Sequence, residues 1–166
     1  MTGFLFELIF WLVTPVWLLL IFAPHARVTA RIAASPLTVI PVLVVYSALA
    51  IPVLPELWAA VRSPDLDGFR DLTVLANGAG AVWAQLIAWD LLLGQWMFLE
   101  ARRLGIHPLV MGPLLVATIL LSPFALPVFL VVRAVKLRSA TRTTQATRTS
   151  QATEVTKATE LSEING

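Results

Sequence analysis

The sequence predicts an all-α, polytopic membrane protein with four transmembrane helices and a disordered C-terminal tail. Hydrophobic residues make up 58% of the 166 residues and charged residues only 13%, and the mean hydropathy is +0.82. A soluble domain usually carries about 25% charged residues, so this chain has too few of them to cover a water-exposed globular surface. The apolar residues also form blocks of roughly 20 residues, which is the length that crosses a hydrocarbon core about 30 Å thick.

Four apolar blocks are predicted to be transmembrane helices. The first lacks the basic start of a signal peptide, because no Lys or Arg precedes Phe4, and we interpret it as a retained helix. The second and fourth contain several prolines, which membrane helices tolerate because neighbouring groups satisfy the freed backbone. The second is expected to bend near Pro52. The four spans run from about Phe4 to Ala23, Leu37 to Trp58, Ala79 to Leu99 and Leu109 to Val132.

The composition changes after Arg133, so two regions are predicted. Residues 1–136 form the transmembrane domain, and residues 137–166 form a Thr-, Ala- and Ser-rich tail that cannot bury enough apolar surface to become ordered. Basic residues near the span ends favour a location of both termini in the cytoplasm. The chain has no cysteine, which excludes disulfides and thiolate metal sites.

The basic residues indicate contact with lipids rather than with nucleic acid. The net charge is only +2, although the isoelectric point is about 9.7. Most of the positive charge lies at membrane edges and in the tail, where lipid head groups and membrane orientation explain it. Membrane lipids are therefore the expected partners, and no nucleic-acid partner is expected.

Asp90 is the candidate catalytic residue. It lies near the middle of the third span, where an ionised Asp costs roughly 2.5–3.5 kcal/mol on insertion scales. It should therefore face the bundle interior and be either protonated or hydrogen-bonded. Two interpretations stay open: a carboxyl that holds helices together, or a proton donor and acceptor in an apolar pocket, which favours the neutral acid.

Tryptophans and a glycine around Asp90 are the candidate substrate-binding residues. Trp83 and Gly94 lie on the same helical face as Asp90, whereas Trp89 and Trp96 share another face at a seven-residue spacing. Aromatic walls suit a flat or polyene ligand, although packing explains such residues equally well.

Motifs of soluble enzymes and of metal sites are absent from the sequence. It contains no GxGxxG, P-loop, HExxH or GxSxG pattern. His25 and His107 lack a third ligand, so no metal site is predicted, and no cofactor is indicated.

Five stretches of the chain form a recognisable series: PVWLLLIFAPH, SPLTVIPVLVVYSAL, SPDLDGFRDL, WAQLIAWDLLLGQWMFLEARRLGI and SPFALPVFLVVRAV. Together they resemble the ABA4-like family of small membrane proteins, over about residues 4 to 135. The most specific is the pattern of the third span, in which Trp89 and Asp90 are followed by Gly94 and by an aromatic residue, Trp96. The family pattern commonly has an Arg after that Gly and an Asp near the span end, where this chain has Gln95 and Glu100.

The resemblance implies a role in carotenoid metabolism, because plant members are required to form neoxanthin from violaxanthin. It makes a carotenoid the expected apolar ligand and gives Asp90 the role of an acid–base group on a polyene. The alternative is a non-catalytic membrane protein that binds a lipid or pigment or supports a membrane complex. The first span begins almost at once, so a bacterial cell membrane is expected rather than a plastid.

Overall fold

The described part of the chain is helical. The computed structural model describes the backbone of residues 1–164 and the side chains of residues 1–139. Two short 3₁₀ helices, Pro36–Val39 and Ile51–Val53, flank the third α-helix. The seven α-helices of the described backbone are α1 (Thr2–Phe22), α2 (Arg27–Ala33), α3 (Ile40–Ala50), α4 (Leu54–Arg62), α5 (Leu66–Val74), α6 (Ala76–Arg103) and α7 (Pro108–Ile164).

Four helical segments of the described residues are long and apolar enough to cross a membrane. They confirm the four predicted spans, and the protein is therefore a multi-pass membrane protein. The third span is longer than predicted because α6 continues as a regular helix through the polar residues at both of its ends. The four segments are Thr2–Phe22, Pro36–Arg62, Ala76–Arg103 and Pro108–Ser139.

Prolines interrupt two of the spans. In the second span, the 3₁₀ turn Ile51–Val53 separates α3 from α4 around Pro52, where the bend is predicted; the bend itself stays a prediction. In α7, the backbone leaves helical geometry at Leu121 (φ −148°, ψ 56°), two residues before Pro123. The pyrrolidine ring lacks an N–H and clashes with the preceding turn, so Pro123 accounts for this break.

Helix α6 is the centre of the bundle. It packs against α1, α3 and α5. The Thr2 hydroxyl donates a hydrogen bond of 2.7 Å to the Asn77 side-chain oxygen, and the Phe6 ring stacks on Trp83 with centroids 5.5 Å apart. These contacts join the beginning of α1 to the beginning of α6. The two helices therefore run parallel, as the first and third spans of a four-span protein must.

The links between the spans contain short helices that the hydropathy pattern does not reveal. Helix α2 lies in the first link and α5 in the second. Asp65 caps the start of α5, where its carboxylate accepts a 2.7 Å hydrogen bond from the Gly68 N–H. Such a cap satisfies a backbone donor that the first helical turn leaves free.

The chain divides into two compact units, Met1–Leu126 and Pro127–Gly166. In the second unit the backbone of α7 is helical to Ile164. The disorder predicted for residues 137–166 falls mainly on residues 140–166, whose side chains lie outside the described part of the chain. That prediction, like the predicted cytoplasmic location of both termini, stays a prediction.

A buried polar contact joins the second and third spans and gives a first testable prediction. The Gln95 amide donates a hydrogen bond to the Thr38 hydroxyl, and Gln95 is only 3% exposed. We expect a double-mutant cycle of Gln95→Leu and Thr38→Val to give a coupling free energy of about 0.6 kcal/mol and at most about 1.7 kcal/mol, the range for polar contacts between membrane helices. The measurement is reversible unfolding in detergent micelles.

The control cycle pairs Gln95→Leu with Ser47→Ala. The Ser47 hydroxyl bonds to the Leu43 carbonyl within its own helix, so these two changes should be additive. Equal coupling in both cycles would show that Gln95 and Thr38 do not interact.

Candidate functional site

Asp90 lies in the middle of α6 and faces a cavity between α6 and α1. The cavity has a volume of about 190 Å³. Asp90 is half-buried and is the only side chain with an acidic or basic group among the lining residues. All others except Thr14 are apolar. The cavity, which we call the Asp90 cavity, is lined by Phe10, Val13, Thr14, Trp17, Leu18, Ile21, Trp83, Ile87, Asp90 and Ile119.

Helix α1 supplies most of the cavity wall because it runs alongside α6 with one face turned toward it. The hydroxyl of Thr14 donates a 2.7 Å hydrogen bond to the Phe10 carbonyl in its own helix. That bond occupies the hydroxyl proton of the one other polar side chain in the wall. The Asp90 carboxyl is thus the group best placed to exchange a proton with a molecule in the cavity.

Trp17 closes one side of the cavity by packing on Gly94. The indole ring lies so near the Gly94 Cα that a Cβ at this position would collide with ring atoms Cη2 and Cζ3. Trp17 is 6% exposed. Gly94 therefore contributes to the site through the space that it leaves for Trp17, rather than as part of the cavity wall.

The Ser122 hydroxyl lies close to the Asp90 carboxyl and interacts with it. Ser122 immediately follows Leu121, the residue at which α7 leaves helical geometry. The proline-induced break and the partner of the central carboxyl thus occupy the same place in the fourth span. The ion pairs of the described side chains, Arg70–Asp67 and Arg103–Glu100, do not include Asp90.

The structure brings together part of the predicted substrate-binding set and separates the rest. Trp83 lines the Asp90 cavity, and Gly94 supports its wall. Trp89 is 64% exposed and lines a different groove, of about 350 Å³, between α3 and α6. Trp96 is exposed and belongs to neither set of lining residues. The two tryptophans lie on other faces of α6 because successive residues of a helix are about 100° apart.

Residues of α1 and α7 are the part of the site that the sequence did not single out. Phe10, Trp17 and Ser122 were each visible as residues, but nothing in the sequence shows which helices are neighbours. The one available signal was Ser122 itself, a hydroxyl next to Pro123 inside an apolar span, since polar residues in spans often bond across helices.

His25 and His107, for which the sequence predicts no metal site, lie near one another. Both line a second cavity, which shares Ile21 with the Asp90 cavity. Gln95, at the position of the Arg that is common in the family pattern, faces Thr38 instead of Asp90.

Comparison with known proteins gives one match. The family model described as ABA4-like, ABA DEFICIENT 4-like, matches residues 4–129. No curated protein and no solved structure matches the chain. The matched range contains all the residues of the Asp90 cavity together with Ser122. This chain belongs to the ABA4-like family.

Proposed function

We propose that this protein acts on a carotenoid in the membrane and that Asp90 transfers the proton in the reaction. The observation that carries the proposal is a single carboxyl group in an otherwise apolar cavity halfway along a membrane span. Burial of a carboxyl group at this depth in a membrane costs free energy, so its presence there indicates a functional site. Family membership supplies the substrate class, since carotenoids are lipid-soluble and the plant members are tied to their metabolism.

The size of the Asp90 cavity suits one end of a long polyene. Its volume of about 190 Å³ is below the roughly 300–1,000 Å³ of pockets that enclose a whole drug-sized ligand. A cyclic end group can occupy it while the polyene chain lies along the apolar outer surface of the bundle. Trp17 and Trp83 offer flat surfaces against which the end group can pack.

The proposed reaction is the isomerisation of an epoxide end group. The protonated Asp90 carboxyl donates its proton to the epoxide oxygen, and the adjacent C–O bond breaks to leave a carbocation conjugated with the polyene. The Asp90 carboxylate then accepts a proton from a neighbouring polyene carbon, which yields an alcohol and an allene. One proton is given and one is taken, so the product is an isomer of the substrate and the acid is regenerated.

A non-catalytic role is the second candidate, and the interaction between Asp90 and Ser122 favours it. That contact joins the third span to the fourth, as expected of a carboxyl that holds a bundle together. In this role the cavity would bind a pigment or lipid without changing it.

The test is a pigment profile. We expect membranes of a host that accumulates violaxanthin to gain a new isomer of it when this chain is expressed. Ile87→Phe should reduce the amount of product because the larger ring fills the Asp90 cavity, which Ile87 lines. Leu92→Phe is the matched control, since Leu92 is on the same helix but lines the groove between α3 and α6, together with Trp89.

An unchanged profile with folded protein in the membrane would contradict the enzymatic proposal. Unaltered pigment that copurifies with the protein, and is lost in Ile87→Phe only, would instead support the binding role.

A further inference from the structure

We propose that a second cavity, at the membrane–water boundary, binds the head group of an anionic phospholipid. The cavity lies between the end of α1, the end of α6 and the beginning of α7, and its volume is about 330 Å³. We call it the interfacial cavity. It does not depend on the carotenoid proposal, because neither Asp90 nor the tryptophans of the Asp90 cavity line it.

The interfacial cavity has an apolar part and a polar part. Leu20, Phe98, Ile106 and Met111 form buried apolar walls and are each at most 7% exposed. The polar part consists of three exposed side chains that can carry positive charge: His25, Arg102 and His107. A ligand that fits both parts is amphiphilic, with an apolar tail and a polar head.

Charge complementarity indicates that the head is anionic. No Asp or Glu is among the residues that line the interfacial cavity. The nearest acid along the chain, Glu100, forms an ion pair with Arg103, in which Nε and Oε2 are 3.5 Å apart. Arg102 therefore faces a cavity whose lining residues include no carboxylate.

The Arg102 side chain is held in place by two contacts. One guanidinium nitrogen donates a hydrogen bond to the Pro24 carbonyl, and Cζ lies 5.8 Å from the centroid of the Phe98 ring. A guanidinium has five N–H donors in a planar fork, so donors remain for the oxygens of a phosphate. Side chains that are already held in place lose less entropy when a ligand binds.

The position in the membrane points to a lipid as the source of the phosphate. The candidate spans Thr2–Phe22, Ala76–Arg103 and Pro108–Ser139 end or begin at this cavity. Phospholipid phosphates lie at the same depth as the ends of transmembrane helices. Basic pockets between helices at this level are a common mode of lipid head-group binding.

The test is competition between two lipids for the purified full-length protein. Detergent-solubilised protein is mixed with equal amounts of dioleoyl phosphatidylglycerol and dioleoyl phosphatidylcholine, and bound lipid is counted by native mass spectrometry. We expect a preference of about fivefold for phosphatidylglycerol, as for a partly exposed charge pair. Arg102→Gln should abolish the preference, whereas Arg102→Lys should retain part of it.

Arg31→Gln is the matched control because Arg31 is an exposed arginine of α2 that does not line the cavity and does not belong to the ion pairs Arg70–Asp67 and Arg103–Glu100. This variant should keep the preference of the unmodified chain. Equal binding of the two lipids to the unmodified protein would overturn the proposal, whether or not Arg102→Gln folds. The same loss of preference in both arginine variants would also overturn it.

A further experiment distinguishes binding of a lipid from binding of a soluble phosphate. Glycerol 3-phosphate carries the same anionic group without acyl chains, and we expect it not to displace phosphatidylglycerol at equal concentration. Full displacement would show that the cavity selects a soluble phosphate and that a lipid is the wrong ligand.

Discussion

Asp90→Asn is expected to abolish conversion of the carotenoid while folded protein still accumulates in the membrane. Asparagine has nearly the same shape as aspartic acid and can still interact with Ser122, but it cannot give or take the proton. General acid–base catalysis contributes about 100-fold to 10,000-fold, so turnover should fall at least about 100-fold. The measurement is the rate of product formation in isolated membranes that contain equal amounts of each protein.

Two further variants distinguish a loss of catalysis from the effect of removing any carboxyl group and from the effect of removing a contact between helices. Glu7→Gln removes a carboxyl group from the first span. Glu7 is exposed and does not line the Asp90 cavity, so turnover should be unchanged. Ser122→Ala removes the partner of Asp90 and leaves the acid, so it should lower turnover less than Asp90→Asn does.

An Asp90→Asn protein that converts substrate at the unmodified rate would exclude proton transfer by Asp90. Equal loss of folded protein in Asp90→Asn and Ser122→Ala would show that the contact between the third and fourth spans is what the carboxyl provides.

The spans could be predicted from sequence because one physical requirement determines them. A helix that crosses the hydrocarbon core needs about 20 apolar residues, and four blocks of that length stand out in a chain of this composition. The interruption between α3 and α4 at Pro52 agrees with the missing N–H of proline. The helices of the links were not predicted, because α2 and α5 are only 7 and 9 residues long and lie outside the apolar blocks.

Only the part of the site that lies on α6 could be predicted from the sequence. Helical periodicity placed Trp83 and Gly94 on the face of Asp90, and both belong to the cavity or its support. Periodicity gives directions around α6 but not the identity of the helix that lies in each direction. Trp17 and Ser122 come from α1 and α7, so their proximity to Asp90 depends on packing between helices that a single sequence does not reveal.

The contact of Trp17 with Gly94 predicts the largest effect on stability. We expect Gly94→Ala to lower the free energy of unfolding by about 1–3 kcal/mol, as is typical when a methyl group is forced into a filled site. The added Cβ would overlap the indole ring, which must then move out of a position that is 6% exposed. Thermal or denaturant-induced unfolding in detergent micelles measures the change.

Gly112→Ala and Gly3→Ala are the matched controls. Both glycines are helical, and at either position a Cβ would meet no atom within 4 Å. Both substitutions also gain helix propensity of about 0.5–1 kcal/mol, so neither should destabilise the protein much. A loss confined to Gly94→Ala would therefore reflect the indole ring and not the removal of a helical glycine.

The same contact makes a compensating change possible. Phenylalanine at position 17 is smaller than tryptophan and leaves room for a Cβ at position 94, so Trp17→Phe should restore part of the stability that Gly94→Ala loses. Because Trp17 is a wall of the Asp90 cavity, the double variant should also have a wider cavity and altered pigment conversion or binding. Additive destabilisation by the two changes would mean that Trp17 does not pack on Gly94, and the cavity that places Asp90 opposite α1 would then not exist in this form.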